Sequence, residues 1–353
     1  MTNLYEKVRL YKEQNLPFVI YSKPNSDKII GLFQSDNKFY TLDNFEAKGF
    51  VFAPFDKGSI CFIPKDFSKT IIENYTFEDF DSASLSNTLV EDKTQKKEFE
   101  ALVQKAIQNI NLGLTDKIVV SRKESISINS FDIELAFKKM LSLYKSAFKY
   151  CFFHPQIGMW MGATPEQFLK TENNTLKTVA LAGTRLINDD VWGDKELKEQ
   201  QYVTDFIVSN IKEYTNLVKV SNPYTITAGN IQHIKTDINA TLNSLIDLEI
   251  ILKKMHPTPA VCGFPKGKAR DFILKNENYN RKYYAGFLGE LNFCFESNQT
   301  LMSDLFVNLR CMEIIKDNAE IYVGCGITKD SKPEKEYIET KNKSVTMKNI
   351  LNK

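Results

Sequence analysis

Phe99, Leu102, Val103, Ala106, Ile107 and Ile110 recur at intervals of three and four, which lays one apolar stripe along a helix predicted over 97–111. Gly113 stops it. Helical spacing also runs through 3–14, 131–146, 195–214 and 242–255. Pro333 opens a last helix, at the position where a missing N–H leaves no bond unmade. Short β-branched and aromatic runs between Pro, Asn, Ser and Asp turns predict strands at 18–21, 28–33, 38–42 and 58–63. Further strands are predicted at 117–120, 150–161, 224–227, 232–240, 284–293, 305–315 and 320–324. Residues 82–97 are polar, Ser-rich and then charged, which predicts a loop or linker. Strands and helices alternate without regular βαβ units. The pattern therefore predicts an α+β fold of large antiparallel sheets with peripheral helices.

Composition narrows the class. At about 150 residues per domain, 353 residues make two domains or one large unit. A content of 42% hydrophobic and 25% charged residues is that of a soluble globular chain and excludes disorder over most of the length. Lys plus Arg number 46 against 44 Asp plus Glu, a net charge of +2, so no nucleic-acid partner is expected. No GxGxxG follows a strand and no GxxxxGK[ST] occurs, so the nucleotide folds have no support. Cys61, Cys151, Cys262, Cys294, Cys311 and Cys325 are scattered without a CxxC pair and read as buried, reduced thiols. The N-terminus lacks the apolar core of a signal peptide. No apolar run approaches the ~18 residues of a membrane span. The expectation is a cytoplasmic protein with no membrane partner.

Seven segments carry the candidate chemistry. They are Lys117-Ile118-Val119-Val120-Ser121-Arg122, Gly162-Ala163-Thr164-Pro165-Glu166, Leu181-Ala182-Gly183-Thr184-Arg185 and Lys195-Glu196-Leu197-Lys198-Glu199. Beyond them lie His256-Pro257-Thr258-Pro259-Ala260-Val261-Cys262-Gly263, Tyr322-Val323-Gly324-Cys325-Gly326-Ile327 and Glu336-Tyr337-Ile338-Glu339-Thr340-Lys341-Asn342-Lys343. Taken singly each is weak. A helical Glu is most often a solvated surface group, and Glu339 with Lys343 reads as an i,i+4 ion pair. In this order and spacing, however, the segments resemble the chorismate-utilising enzymes: isochorismate synthase, anthranilate synthase component I, aminodeoxychorismate synthase and salicylate synthase. The resemblance runs from residue 95 to 353. Residues 1–90 carry no motif and correspond to the family's variable, strand-rich N-terminal part of the same domain.

The resemblance implies a single α+β domain of stacked, mostly antiparallel sheets with helices outside. It also implies chorismate as substrate and Mg2+ as cofactor, with no obligatory protein partner. Glu199 and Glu339 match the family's metal ligands, and Mg2+ is often held by one or two carboxylates plus waters and substrate. Arg310 matches the arginine that receives the enolpyruvyl carboxylate, for which a planar guanidinium is suited. Gly324 matches a glycine whose amide approaches the ligand, and Lys343 a lysine that reaches substrate beside the metal. Ala182, Gly183 and Thr184 match a close-approach segment, and Ala260 and Tyr284 match positions lining the ring pocket.

Within the family, water or ammonia adds at C2 and the C4 hydroxyl leaves. Lys117 stands where isochorismate and salicylate synthases carry a base, and anthranilate synthases usually carry Gln. Glu166 matches the acid on the opposite face of the ring, and must hold a proton near neutrality. Ala182 replaces the lysine nucleophile that aminodeoxychorismate synthases can carry. The His-Pro-Thr-Pro-Ala segment also favours isochorismate synthase. Salicylate synthase, an ammonia-using synthase and an idle chorismate-binding protein stay open as alternatives, as does the pathway: menaquinone, siderophore or salicylate. Two departures stand out. Gln200 follows Glu199 where His is common, and Lys282 follows Arg281 where Gly is common.

Overall fold

The computed structural model describes residues 3–76, 92–128, 130–186, 191–228, 231–244 and 247–351. Among these, two nine-stranded antiparallel sheets face each other. The first runs in the order Gly263–Phe264, Lys117–Ser127, Asn318–Ile327, Cys311–Ile315, Gly158–Thr164, Phe148–His154, Phe18–Ser22, Lys28–Gln34, Ser68–Asn74. The second runs Thr215–Val220, Ile231–Leu242, Thr175–Leu186, Gln167–Glu172, Met302–Val307, Phe287–Leu291, Gly49–Ala53, Cys61–Pro64, with Tyr224–Ala228 also paired to Ile231–Leu242. A short hairpin, Phe293–Cys294 with Gln299–Thr300, lies apart.

Burial explains the sequence pattern. Phe18–Ser22 is buried at every position. Val19 and Tyr21 enter the core between the sheets, while Phe18 and Ile20 enter a second core on the outer face of the first sheet. Phe148–His154 divides the same way, with Tyr150 and Phe152 inward and Cys151 and Phe153 outward. A strand covered on both faces reads as an unbroken apolar run. Phe148 stacks on Phe306 at 4.3 Å, and Phe52 meets Phe152 at 4.5 Å, so aromatic rings join the two sheets directly.

Helices cover the outside. Helices α1 (Leu4–Glu13), α3 (Ile133–Leu143) and α7 (Pro333–Leu351) supply Val8, Phe137, Met140 and Met347 to the outer core. Helix α2 (Lys93–Asn111) turns Phe99, Val103, Ala106 and Ile107 inward, against α7 and Lys117–Ser127. Helix α4 (Asp194–Ile211) lies on Thr175–Leu186, α5 (Asp247–Met255) packs on α4, and α6 (Lys266–Asn276) packs on Lys117–Ser127. All six cysteines are buried and free. Among the described residues no helix is long and apolar enough to cross a membrane.

Several elements differ from the sequence reading. Residues 38–42 form no strand beyond a single bridge from Thr41 to Cys61. The Asp36 carboxylate takes the Lys38 amide, the Tyr40 hydroxyl and the Gln34 amide, a local alternative to a ladder. The run 305–315 is two strands in different sheets, broken at Arg310 with φ 48°. The helix expected from 242 starts at Asp247, because Leu242 still closes a strand. Of the loop expected over 82–97, Lys93 onward is helix capped by Asp92, and 82–91 lies outside the described residues. Strands Gly49–Ala53, Ser68–Asn74, Gln167–Glu172, Thr175–Leu186 and Thr215–Val220, and helix α6, are additions to the predicted set.

Candidate active site

The site lies where Lys117–Ser127 pairs with Asn318–Ile327, in a register from Asn318 opposite Ser127 to Ile327 opposite Ile118. Lys117 opens its strand, and its Nζ reaches Glu199 Oε1 on α4 at 2.5 Å. Its stem crosses Gly326, where a Cβ would fall 2.8 Å from Lys117 Cε. On α7, Lys343 Nζ lies 2.6 Å from Glu339 Oε1 and donates to the Gly324 carbonyl at 2.9 Å. A Cβ on Gly324 would meet the Tyr284 hydroxyl at 2.8 Å and the Val120 carbonyl at 2.7 Å, so only glycine fits there. Both lysines thus flank the segment Gly324-Cys325-Gly326.

Arg310 occupies the crossover between the sheets. Asn308 anchors this crossover by accepting from the Tyr150 hydroxyl at 2.6 Å and donating to the Tyr283 carbonyl at 2.9 Å. Arg310 donates to Thr346 Oγ1 at 3.2 Å and to the Lys343 carbonyl at 3.4 Å, and the Glu339 carboxylate favours its charge. Burial holds its pKa below the usual arginine value, yet a guanidinium stays charged in proteins.

Glu166 follows the strand Gly158–Thr164. Its loop is pinned because the Val307 amide donates to the Glu166 carbonyl at 2.9 Å, and the Thr164 hydroxyl to the Val307 carbonyl at 2.6 Å. Desolvation pushes the Glu166 pKa up to about 7, with Lys117 and then Lys343 pulling it back. Burial disfavours the anion, and two ammonium groups at the cleft only partly restore it.

The remaining expected residues border this cluster. Gly183 has φ 72° at a bulge that spans Ala182 to Arg185, where Thr184 also lies. A Cβ on Gly183 would sit 3.2 Å from Glu196, one helical turn before Glu199, and the Gly183 carbonyl is held by His233 Nδ1 at 2.9 Å. Ala260 precedes a segment that extends the sheet beside Lys117, through Val119 N to the Cys262 carbonyl at 2.9 Å and Phe264 opposite Lys117. His256 is scaffold: its Nε2 meets the Pro54 carbonyl at 2.9 Å, and burial pushes its pKa down to about 4. Gln200 turns into the second sheet, donating to Thr236 and Thr204.

The motifs did not single out the buried clamp beneath the site. Arg281 binds both oxygens of Glu277 at 2.8 and 2.6 Å, the Val261 carbonyl at 3.0 Å and the Val119 carbonyl at 2.7 Å. Glu277 also accepts from the Ser121 amide and hydroxyl. Tyr284 hangs from the same turn, its amide donating to the Arg281 carbonyl at 2.9 Å. Lys282 has φ 51°, which accounts for a glycine being common there, and it bonds both oxygens of Glu313 at 2.8 Å. The i,i+4 spacing of Glu277 and Arg281 gave no sign of burial, since the same spacing reads as a surface pair.

Glu199 and Glu339 offer hard oxygen donors. Among the described residues no group of three His, Cys, Asp or Glu side chains forms a complete metal cage. Two carboxylates with positions left for water and substrate suit Mg2+, which keeps part of its hydration.

Comparison with known proteins gives the family and the fold. Residues 65–352 match the family model described as chorismate binding enzyme. The chain is 28% identical over 300 residues to isochorismate synthase MenF of Escherichia coli K12, covering 81% of this chain and 67% of that protein. It is 26% identical over 269 residues to the salicylate biosynthesis isochorismate synthase of Pseudomonas aeruginosa, covering 73% of this chain and 55% of that one. The matched stretch thus spans two thirds or less of these relatives' length. The solved structure of the menaquinone-specific isochorismate synthase MenF from Escherichia coli superposes with TM-score 0.80 at 22% identity, over 96% of this chain and 89% of that chain. With most of its length matched by the family model and its fold shared with a member, the chain belongs to the chorismate binding enzyme family.

Proposed function

We propose that this chain is an isochorismate synthase, converting chorismate to isochorismate by adding water at C2 and expelling the C4 hydroxyl. The observation that carries the reading is Glu166, a carboxyl whose pKa of about 7 lets it hold a proton at neutrality, in a cleft with Lys117 and Lys343. Expulsion of hydroxide needs such an acid, and water needs a base. Lys117, released from Glu199 and having given up its own proton to solvent, takes the proton of the attacking water. Glu166 delivers a proton to the departing C4 oxygen. Arg310 and the Gly324 amide receive the enolpyruvyl carboxylate, and Tyr284, Ala260 and the bulge at Ala182, Gly183 and Thr184 shape the ring pocket. Glu199 and Glu339 would hold Mg2+, which would supply positive charge to the ring carboxylate when bound. The Lys at 117 and the Ala at 182 favour water over ammonia or a covalent lysine adduct.

The test is product analysis of purified protein with chorismate and Mg2+. A mixture of chorismate and isochorismate is expected, because moving a hydroxyl between ring carbons changes little bonding energy. Stoichiometric pyruvate would identify a salicylate synthase instead, and no turnover would identify an idle binder.

A further inference from the structure

Each carboxylate assigned to the metal already has a lysine of its own. Lys117 lies 2.5 Å from Glu199, and Lys343 lies 2.6 Å from Glu339. These side chains keep contact with water: exposures are 15% and 24% in the first pair, and 30% and 47% in the second. Such pairs can open without stranding a dry charge. Both lysines also converge on one strand end, through Gly326 and the Gly324 carbonyl.

We propose that Lys117 and Lys343 are resident counter-ions of the metal site: they hold Glu199 and Glu339 in the empty enzyme, and Mg2+ binds by displacing them. This rests on the reading of Glu199 and Glu339 as metal ligands. The two carboxylates and two ammonium groups sum to zero charge, and Arg310 adds one positive charge beside them. A dication alone adds two positive charges to the cleft, and a dicarboxylate alone adds two negative ones. Together they cancel. The cleft therefore binds each weakly by itself and both well, and each must strengthen the other by the same factor. The displaced lysines are then free to face the substrate.

Calorimetric titration of the substrate-free protein with Mg2+ tests this. A charge-assisted bond of the usual strength predicts that Lys117→Gln binds Mg2+ about tenfold more tightly than the parent. Lys343→Gln is expected to shift in the same direction. Lys198→Gln, which removes an exposed charge at the next position of α4, should change affinity less than about twofold. Unchanged affinity in both paired-lysine variants overturns the proposal, as does an equal gain in Lys198→Gln, which would mark a general charge effect. Unchanged affinity in Glu199→Gln removes the metal assignment itself, and the proposal with it. Thermal unfolding accompanies each titration. Should Lys117→Gln fail to fold, Lys343→Gln gives the same answer at the second carboxylate.

Discussion

Two acid–base pairs in this molecule share one spacing and differ in everything else. Glu277 and Arg281 stand four residues apart, as do Glu339 and Lys343. The first pair is 2% exposed on both sides, and its arginine also holds two backbone carbonyls, from the strand of Lys117 and the segment of Ala260. The second is 30% and 47% exposed, and its lysine has one further acceptor. A dry, fully bonded pair has nowhere else to go. A wet pair can exchange partners at little loss. The buried clamp therefore fixes the strand of Lys117 against the segment of Ala260, whereas the proposed reading has the wet pairs give up their partners to ligands.

The largest expected effect breaks the clamp. Arg281→Met leaves Glu277 buried and unpaired, which destabilises by about 3–5 kcal/mol. The double variant Arg281→Met/Glu277→Leu should recover much of that, since an apolar pair of similar volume is often neutral. Lys343→Gln should move stability by less than about 1 kcal/mol. Urea unfolding of the three variants decides, and similar losses for Arg281→Met and Lys343→Gln would erase the contrast.

The next effect is chemical. Lys117→Gln should lower water addition by about 10²–10⁴-fold while the fold and chorismate binding persist. Ammonia is nucleophilic when unprotonated and needs no such base, so slow ammonia addition at alkaline pH should survive. Product chromatography with and without ammonium measures both. Near-parental isochorismate formation would move the base to another residue.

Much of this arrangement was legible in the chain, for identifiable reasons. The stripe from Phe99 to Ile110 predicted α2 because one face of it is buried. The run at 18–21 predicted a strand because both faces are covered. Ser68–Asn74 escaped notice because it is an edge strand with no fully buried position. Arg310 sits at a change of sheet that nothing in the apolar run 305–315 announces. The motifs named Lys117, Glu199, Glu339 and Lys343 through family resemblance. They could not show that Lys117 pairs with a carboxylate 82 positions away, because that contact depends on how α4 lies across the second sheet. Nor could they show that Arg281 is buried, since burial of a charge is a property of the packed whole.

The smallest expected effect has the opposite sign from the first. Removing a charge from the clamp weakens the fold, whereas removing one from Glu166 should strengthen it. Burial raises the Glu166 pKa from 4.5 to about 7 in the folded chain. Between those values the folded state binds more protons than the unfolded one, so this carboxyl lowers stability progressively as pH rises from about 4.5 to about 7. A shift of that size corresponds to about 3 kcal/mol in full. Glu166 is only half-buried, so the effect is discounted, and a gain on the order of 1 kcal/mol is expected for Glu166→Gln at pH 8. Near pH 4 the carboxyl is largely protonated in both states and the gain should vanish. The same ionisation predicts that parental activity falls as pH rises through about 7, because the acid must be protonated, and that Glu166→Gln suppresses both water and ammonia addition. Thermal melts of parent and variant at pH 4 and pH 8, beside rate measurements, test both halves. A variant less stable than its parent at pH 8 would place Glu166 with the clamp, as a structural group, and leave the cleft without its acid.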